Sequence, residues 1–364
     1  MNRNYGIDIS KIISMMMFVV MHILLLGGVI GRTRVGTVEY FVVWCVEIIC
    51  YTGVNLFAIA SGYVLLDKKW KLLRFVKLWS GVFFWGVFSA IIATMAGVEG
   101  SGIKEILKAC IPIVADLYWY FSCYFIVFIL SPFINDFVNI IDKKKVKASI
   151  YISLIAFSFL SVFSVEDSFV VKKGYSAIWL LCCYLIGAYI RKYDIKAERK
   201  KALWFGIGNF ALIFAVKVLG DFIEAVSNIE KVYLFSNALI SYNSFAIMGM
   251  SLAIFSLFKQ IEVKAVYWKK IIHCMVPTLL GIYIIHTNKF IWMFIKSSVQ
   301  RQLDFLMSNG VVVLCLGVVF DAILIFVCCM ILEKIRLWIW DKVKINYLLE
   351  LLTEKIENKI RRIF

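Results

Sequence analysis

Apolar residues run along this chain in long blocks, separated by short segments that hold most of the charge. The blocks fall at about residues 7–30, 39–66, 76–97, 117–138, 148–165, 174–190, 202–224, 232–258, 275–297 and 309–333. A helix rises about 1.5 Å per residue, so roughly 20 residues cross a hydrocarbon core of about 30 Å. The pattern predicts an all-α polytopic integral membrane protein with ten transmembrane helices. Beyond the last block, Ile335 to Phe364 mixes Leu, Ile and Trp with Lys, Arg and Glu at helical spacing. That stretch reads as an amphipathic cytoplasmic helix along the inner leaflet, which makes residues 1–334 the transmembrane domain and 335–364 an anchor. The first block follows a single Arg3, exceeds a signal-peptide core in length and lacks a small-residue cleavage site, so it is read as a retained span.

Composition narrows the class. Hydrophobic residues make up 62% and charged residues 18%, with a mean hydropathy of +0.86. A soluble domain has roughly 45–50% and about 25%, and no soluble core buries the excess. With three prolines and no Ser/Gly-rich or acidic tract, no disordered tail is expected. The net charge of +16 would point to nucleic acid in a soluble protein. Here the charges sit in loops, where they meet lipid head groups and set topology, and no nucleic-acid partner is expected. One side holds 28 Lys and Arg, including Arg3, Lys68, Lys69, Arg74, Lys77, Lys144 and Arg199, while the other holds nine, including Arg32, Lys172, Lys231 and Arg301. This bias places both termini in the cytoplasm and the protein in the cell membrane. The ten cysteines lie mostly within apolar blocks without C-x-x-C spacing, and read as packing residues, not disulfides or metal ligands.

Polar residues inside spans are costly and mark candidate chemistry. Asp8, Lys11, Met15, Phe18 and His22 recur at intervals of three or four, which puts them on one face of the first helix. Eleven residues separate Lys11 from His22. That is about 16 Å, so a Lys at the inner boundary sets the imidazole near mid-bilayer. A lone buried His reads first as a core residue bonded to a neighbouring helix, but the stripe below it favours a proton acceptor. His286 also lies about eleven residues into its helix, at the level of His22. Tyr283 shares its face and Asn288 lies beyond it. These three read either as helix-to-helix hydrogen bonders or as groups facing the chamber that holds His22.

Lys11-x10-His22, within Tyr5-Gly6-Ile7-Asp8-Ile9-Ser10-Lys11, resembles the basic-x10-His signature of the membrane acyltransferase type 3 family. Four more segments are similar to the branch found in surface-polysaccharide gene clusters. They are Gly53-Val54-Asn55-Leu56-Phe57 with Ser61-Gly62-Tyr63; Trp119-Tyr120, Tyr124 and Leu130-Ser131-Pro132-Phe133-Ile134-Asn135; Tyr242-Asn243-Ser244; and Gly281 through Asn288. The match spans residues 5–288 in order. Two departures stand out. Lys11 takes the place of the Arg found in many relatives, and Arg74-x-x-Lys77 that of an R-x-x-R pair. The extracellular esterase-like domain of some members is not expected here.

The resemblance implies an O-acetyltransferase for a glycan or lipid-linked glycan. Acetyl-CoA would be a cosubstrate from the cytoplasm, with no permanently bound cofactor, and other polysaccharide-biosynthesis proteins would be partners. His22 and Lys11 would be catalytic. Arg74, Lys77, Ser61 and Gly62 would bind the donor, while Glu47, Asn55, Trp119, Tyr120, Asn243, Tyr283, His286 and Asn288 would hold the acceptor or support the site. Two other classes compete: a transporter or flippase with His22, Glu47, His286 and Asp321 along a pathway, and a structural membrane subunit. The charge bias predicts that single cysteines introduced near Lys144 and Arg199 react with an alkylating reagent only from the cytoplasmic side. Labelling of either from outside reverses the topology.

Overall fold

The computed structural model describes residues 3–164, 167–227 and 236–361. Lys231, the start of the 232–258 block, the end of the 148–165 block and the last three residues lie outside them. The described residues are mostly helical, joined by turns and short irregular segments, and contain no strand. Helix α1 (Tyr5–Met21) runs on into a π turn, His22–Leu26. Helices α2 (Val38–Cys50) and α3 (Thr52–Leu65) follow, meeting at Tyr51, then α4 (Leu72–Met95), the short α5 (Ile103–Cys110) and α6 (Trp119–Ile140). Next come α7 (Lys143–Leu154), which passes into a second π turn at Ile155–Leu160, α8 (Ala177–Lys192) and α9 (Arg199–Ser227). The chain ends with α10 (Phe245–Lys259), α11 (Val266–Met275), α12 (Leu279–Thr287), α13 (Lys289–Ser308), α14 (Gly310–Lys342) and α15 (Ile345–Arg361). Seven helical runs among the described residues are long and apolar enough to cross a membrane, and α10 is a shorter apolar helix. The protein is a multi-pass helical membrane protein.

Local chemistry sets the helix starts. Asn4, Thr37 and Ser176 each accept a hydrogen bond from the amide three residues on, capping α1, α2 and α8. The block at 39–66 is divided at Tyr51 into α2 and α3, and three further blocks differ from what is predicted. Helix α10 begins only at Phe245, because Asn237–Ser244 makes turns capped by Ser244. The block at 275–297 is broken at Asn288, whose extended backbone separates α12 from α13. Helix α14 continues through Lys342, past the boundary drawn at residue 334. The tail α15 then packs against α4, with Lys77 Nζ 3.1 Å from Glu350 Oε1.

The ion pairs sort into two layers. Arg191 pairs with Asp67, Lys259 with Asp194 and Lys77 with Glu350, all joining segments from the basic end, where Arg3 also hydrogen-bonds His273. Arg32–Asp304 and Lys289–Glu105 join segments at the opposite end. Between the layers, buried polar groups are mostly matched. Trp85 on α4 donates to Glu333 on α14 at 2.7 Å, and Arg336 donates to the same carboxylate while its guanidinium lies 4.3 Å from the Trp340 ring centre. Lys217 on α9 meets Asp221 at 2.9 Å, and the Tyr40 hydroxyl of α2 donates to the same carboxylate.

Among the described residues, α3 and α8 make the most extensive helix-to-helix contact. A Cβ added to Gly62 would come within 2.0 Å of the Tyr184 carbonyl oxygen, and one added to Gly187 within 1.9 Å of the Ile59 oxygen. These two glycines let the backbones touch, as small residues do between membrane helices. Gly62→Ala or Gly187→Ala should therefore lower the melting temperature in detergent, at a cost of about 1–3 kcal/mol. Because both open one contact, the double variant should cost less than the two single losses added together.

Candidate active site

His22 stands where α1 changes hydrogen-bonding pattern. The Gly27 amide donates to the His22 carbonyl at 2.9 Å, an i to i+5 bond that opens the π turn. The imidazole of His22 meets that of His286, with Nδ1 of the first 3.0 Å from Nε2 of the second. His286 is fully buried, and its Nδ1 lies 2.6 Å from the carbonyl oxygen of Ile282, one turn back on α12. Trp292 on α13 sets its ring edge-on to His22 at 5.9 Å between centres. Two helices that are contiguous in sequence thus fold back on His22 because Asn288 breaks them apart.

A cavity of about 320 Å³ opens beside this pair. Its wall includes Phe18 and His22 from α1, Val54 from α3, Tyr118, Trp119 and Tyr120 at the start of α6, Tyr175, Tyr242, Tyr283 and Trp292. Among the described residues, no Asp, Glu, Lys or Arg lines it. Trp119 stacks over Tyr242 at 5.8 Å and lies 4.5 Å from Tyr175. The Tyr283 hydroxyl accepts from the Tyr120 amide at 3.3 Å. The Tyr120 hydroxyl is buried with no hydrogen-bond partner among the described residues. Of the residues named from sequence, His22, Trp119, Tyr120 and Tyr283 meet at this cavity, and His286 touches it through His22.

The others go elsewhere. Asn55 is a lock between helices: its Nδ2 donates to the Tyr242 carbonyl at 2.8 Å and its Oδ1 accepts from Trp179 Nε1 at 2.8 Å. Asn243 donates to the Phe157 carbonyl and to Ser161 Oγ. Asn288 caps α13 through Oδ1 and donates to the Tyr118 hydroxyl at 2.9 Å, so it positions a cavity residue without lining the cavity. Glu47 is fully buried within electrostatic range of Tyr175 and Tyr242, and neither carboxyl oxygen has a partner among the described residues. Asp321, named for a transport pathway, is held by Gln302 away from the cavity.

At the basic end, a second cavity of about 360 Å³ lies between the end of α3, the start of α4 and the α6 turns from Phe128 to Asn139. Arg74 lines it with Lys68 and Lys69, and none of these three has an ion-pair partner among the described residues. Lys77 points away to Glu350, so the expected pair of donor-binding cations is split. Gly62 is spent on the α8 contact, whereas Ser61 faces Tyr124 between the two cavities. Lys11 lies in electrostatic range of Asp8 and Lys68 at this end and makes no contact with His22. About 16 Å of helix separates them, so Lys11 cannot orient the imidazole.

Sequence reasoning missed Tyr118, Tyr175 and Trp292. The available signal was Asn288, a good N-cap residue followed by an amphipathic run, which marks a second helix start and returns Trp292 to His22.

A multi-pass helical protein with a paired histidine at an aromatic cavity fits the class of membrane-embedded group-transfer enzymes. The acyltransferase domain model matches residues 4–334, and the chain belongs to the membrane acyltransferase type 3 family. No curated protein and no solved structure matches it.

The geometry separates packing from site residues. Asn55→Ala leaves the buried Trp179 indole N–H unpaired and should cost about 1–3 kcal/mol of stability with turnover per folded molecule kept. Trp292→Ala should do the reverse. Melting temperature and acyl transfer, measured on the same detergent-purified samples, check both.

Proposed function

We propose that the protein transfers an acyl group, acetyl in the first instance, from acyl-CoA at its cytoplasmic basic end to a hydroxyl of an extracytoplasmic or lipid-linked glycan. The observation that carries this reading is the imidazole pair at the aromatic cavity, in a chain of an acyltransferase family. Sugar rings present C–H faces that stack on aromatic rings, and Trp119 and Trp292 offer such faces on the wall. A cavity wall with no charged side chain among the described residues suits a neutral sugar ring, because an ion brought there would lose its hydration uncompensated.

The hydrogen bonds also choose which nitrogen works. The Ile282 carbonyl can only accept, so Nδ1 of His286 carries the proton there. In the neutral ring, Nε2 of His286 is then a lone pair, and Nδ1–H of His22 donates to it. This leaves Nε2 of His22 as the bare lone pair and the general base. His286 is a positioning residue, comparable in role to the third member of a hydrolytic triad.

The step follows. Nε2 of His22 takes the proton of the sugar hydroxyl as its oxygen attacks the thioester carbonyl carbon. The tetrahedral intermediate collapses, the C–S bond breaks, and the leaving thiolate takes the proton back from His22. The products are the ester and the free thiol of CoA. Arg74, Lys68 and Lys69 supply charge for the donor's phosphates at the other cavity.

His22→Ala should abolish transfer of label from acetyl-CoA to glycan in purified protein, a loss of about 10²–10⁴-fold. At His286, Gln keeps an oxygen that can accept from His22 and Leu does not. His286→Gln should retain most of kcat and His286→Leu should lose it, with KM for acetyl-CoA unchanged in both. Equal kcat in these two variants would remove His286 from the positioning role, and near wild-type turnover in His22→Ala would remove the base.

A further inference from the structure

Trp70 belongs to neither the aromatic cavity nor any motif above. It follows Lys68 and Lys69 in the loop between α3 and α4 and lines the second cavity. The residue is 43% exposed, yet its ring is fixed: Nε1 donates to the Phe128 carbonyl at 3.2 Å, and the ring lies 5.7 Å from that of Phe128. One side of the indole is packed against α6 and much of the rest is open. A Trp that only anchors the loop at the bilayer surface has no need of a cavity beside it. An aromatic ring held in place next to cations is a platform for a planar, phosphate-bearing base, and its rigidity lowers the ordering cost of binding.

We infer that the second cavity holds the nucleotide end of the CoA thioester, with adenine stacked on Trp70 and the phosphates on Lys68, Lys69 and Arg74. The inference rests on the acyl-transfer reading above and names where that donor is gripped.

Charge and length both support it. Of the two acids on the wall, Asp67 is held by Arg191 at 2.8 Å, which leaves Asp136 alone against three cations. Val54 lines the upper cavity and Leu65 the lower, and the eleven residues between them on α3 span about 16 Å. A pantetheine arm is about as long as four to five extended residues, or roughly 15 Å. A thioester whose adenine rests on Trp70 therefore has the reach to present its carbonyl beside His22. Ser61 and Tyr124, which face one another between the cavities, line the intervening stretch. Tyr124 in turn stacks on Tyr120 at 6.2 Å, so the arm would pass along the side of α6 that leads to the aromatic cavity.

The test is direct binding to the detergent-purified full chain, by calorimetry, of CoA and of adenosine 3′,5′-bisphosphate, which is the nucleotide end without the arm. Trp70→Leu keeps apolar bulk but removes the ring. It should weaken both ligands by about 5- to 100-fold, the range of one base stacked on one aromatic ring. Trp70→Phe should restore most of the affinity, and the melting temperature should be the same in all three proteins. Affinities unchanged in Trp70→Leu, or a Phe variant as weak as the Leu variant, would overturn the platform. CoA binding that depends on Trp70 without any acyl transfer would sink the reaction and keep the site. Acyl transfer with CoA affinity indifferent to Trp70 would sink the site alone.

Discussion

In hydrocarbon a polar group finds no water, so it must be matched inside the protein or carry several kcal/mol of cost. That constraint orders most of this molecule. Asn55 spends its whole amide on Tyr242 and Trp179, Asn243 bonds Phe157 and Ser161, and the Glu333 carboxylate is shared by Trp85 and Arg336. The bonds made by Asn55, Asn243 and Trp85 join segments distant in the chain and fix their registers at a depth where apolar packing alone allows sliding, while Arg336 meets Glu333 within α14. Against this background the unmatched groups carry information. Both carboxyl oxygens of Glu47 and the hydroxyl of Tyr120 are buried with no partner among the described residues.

The same constraint governs where helices break. An interrupted helix frees backbone carbonyls and amides, and a membrane protein tolerates that only where protein or a cavity receives them. The π turn at His22 and the extended Asn288 are such interruptions, and both lie beside the aromatic cavity. Asn288 answers its own break, accepting from the first amides of α13 and donating to Tyr118. The cavity exists because α1, α12 and α13 do not run straight past one another.

Much of this was legible in the sequence. Block lengths gave the helical membrane class, and the depth of His22 and His286, counted from the inner boundary, placed two imidazoles now found 3.0 Å apart. Loops assigned to one side by charge pair with loops of that side, as Arg191–Asp67 and Arg32–Asp304 do. Asn55 and Asn243 were harder, since an amide in a span looks alike whether it faces a substrate or a neighbouring helix. Gly62 was ambiguous in the same way, and only the approach of the Tyr184 carbonyl separates packing from ligand access. Lys77 was hard to place for another reason. Its partner Glu350 lies 273 residues away on a helix that spacing placed on the membrane, not against α4.

The two cavities share no wall residue, although both are built on α3 and α6. They use different turns of the same two rods. A substitution at Trp119 or Tyr120 can reshape one chamber while Asn139 and Arg74 keep the other unchanged. Over evolutionary time, such a scaffold can explore new acceptors without relearning how to hold its donor, and the contact at Gly62 and Gly187 is the pivot that neither search can afford to disturb.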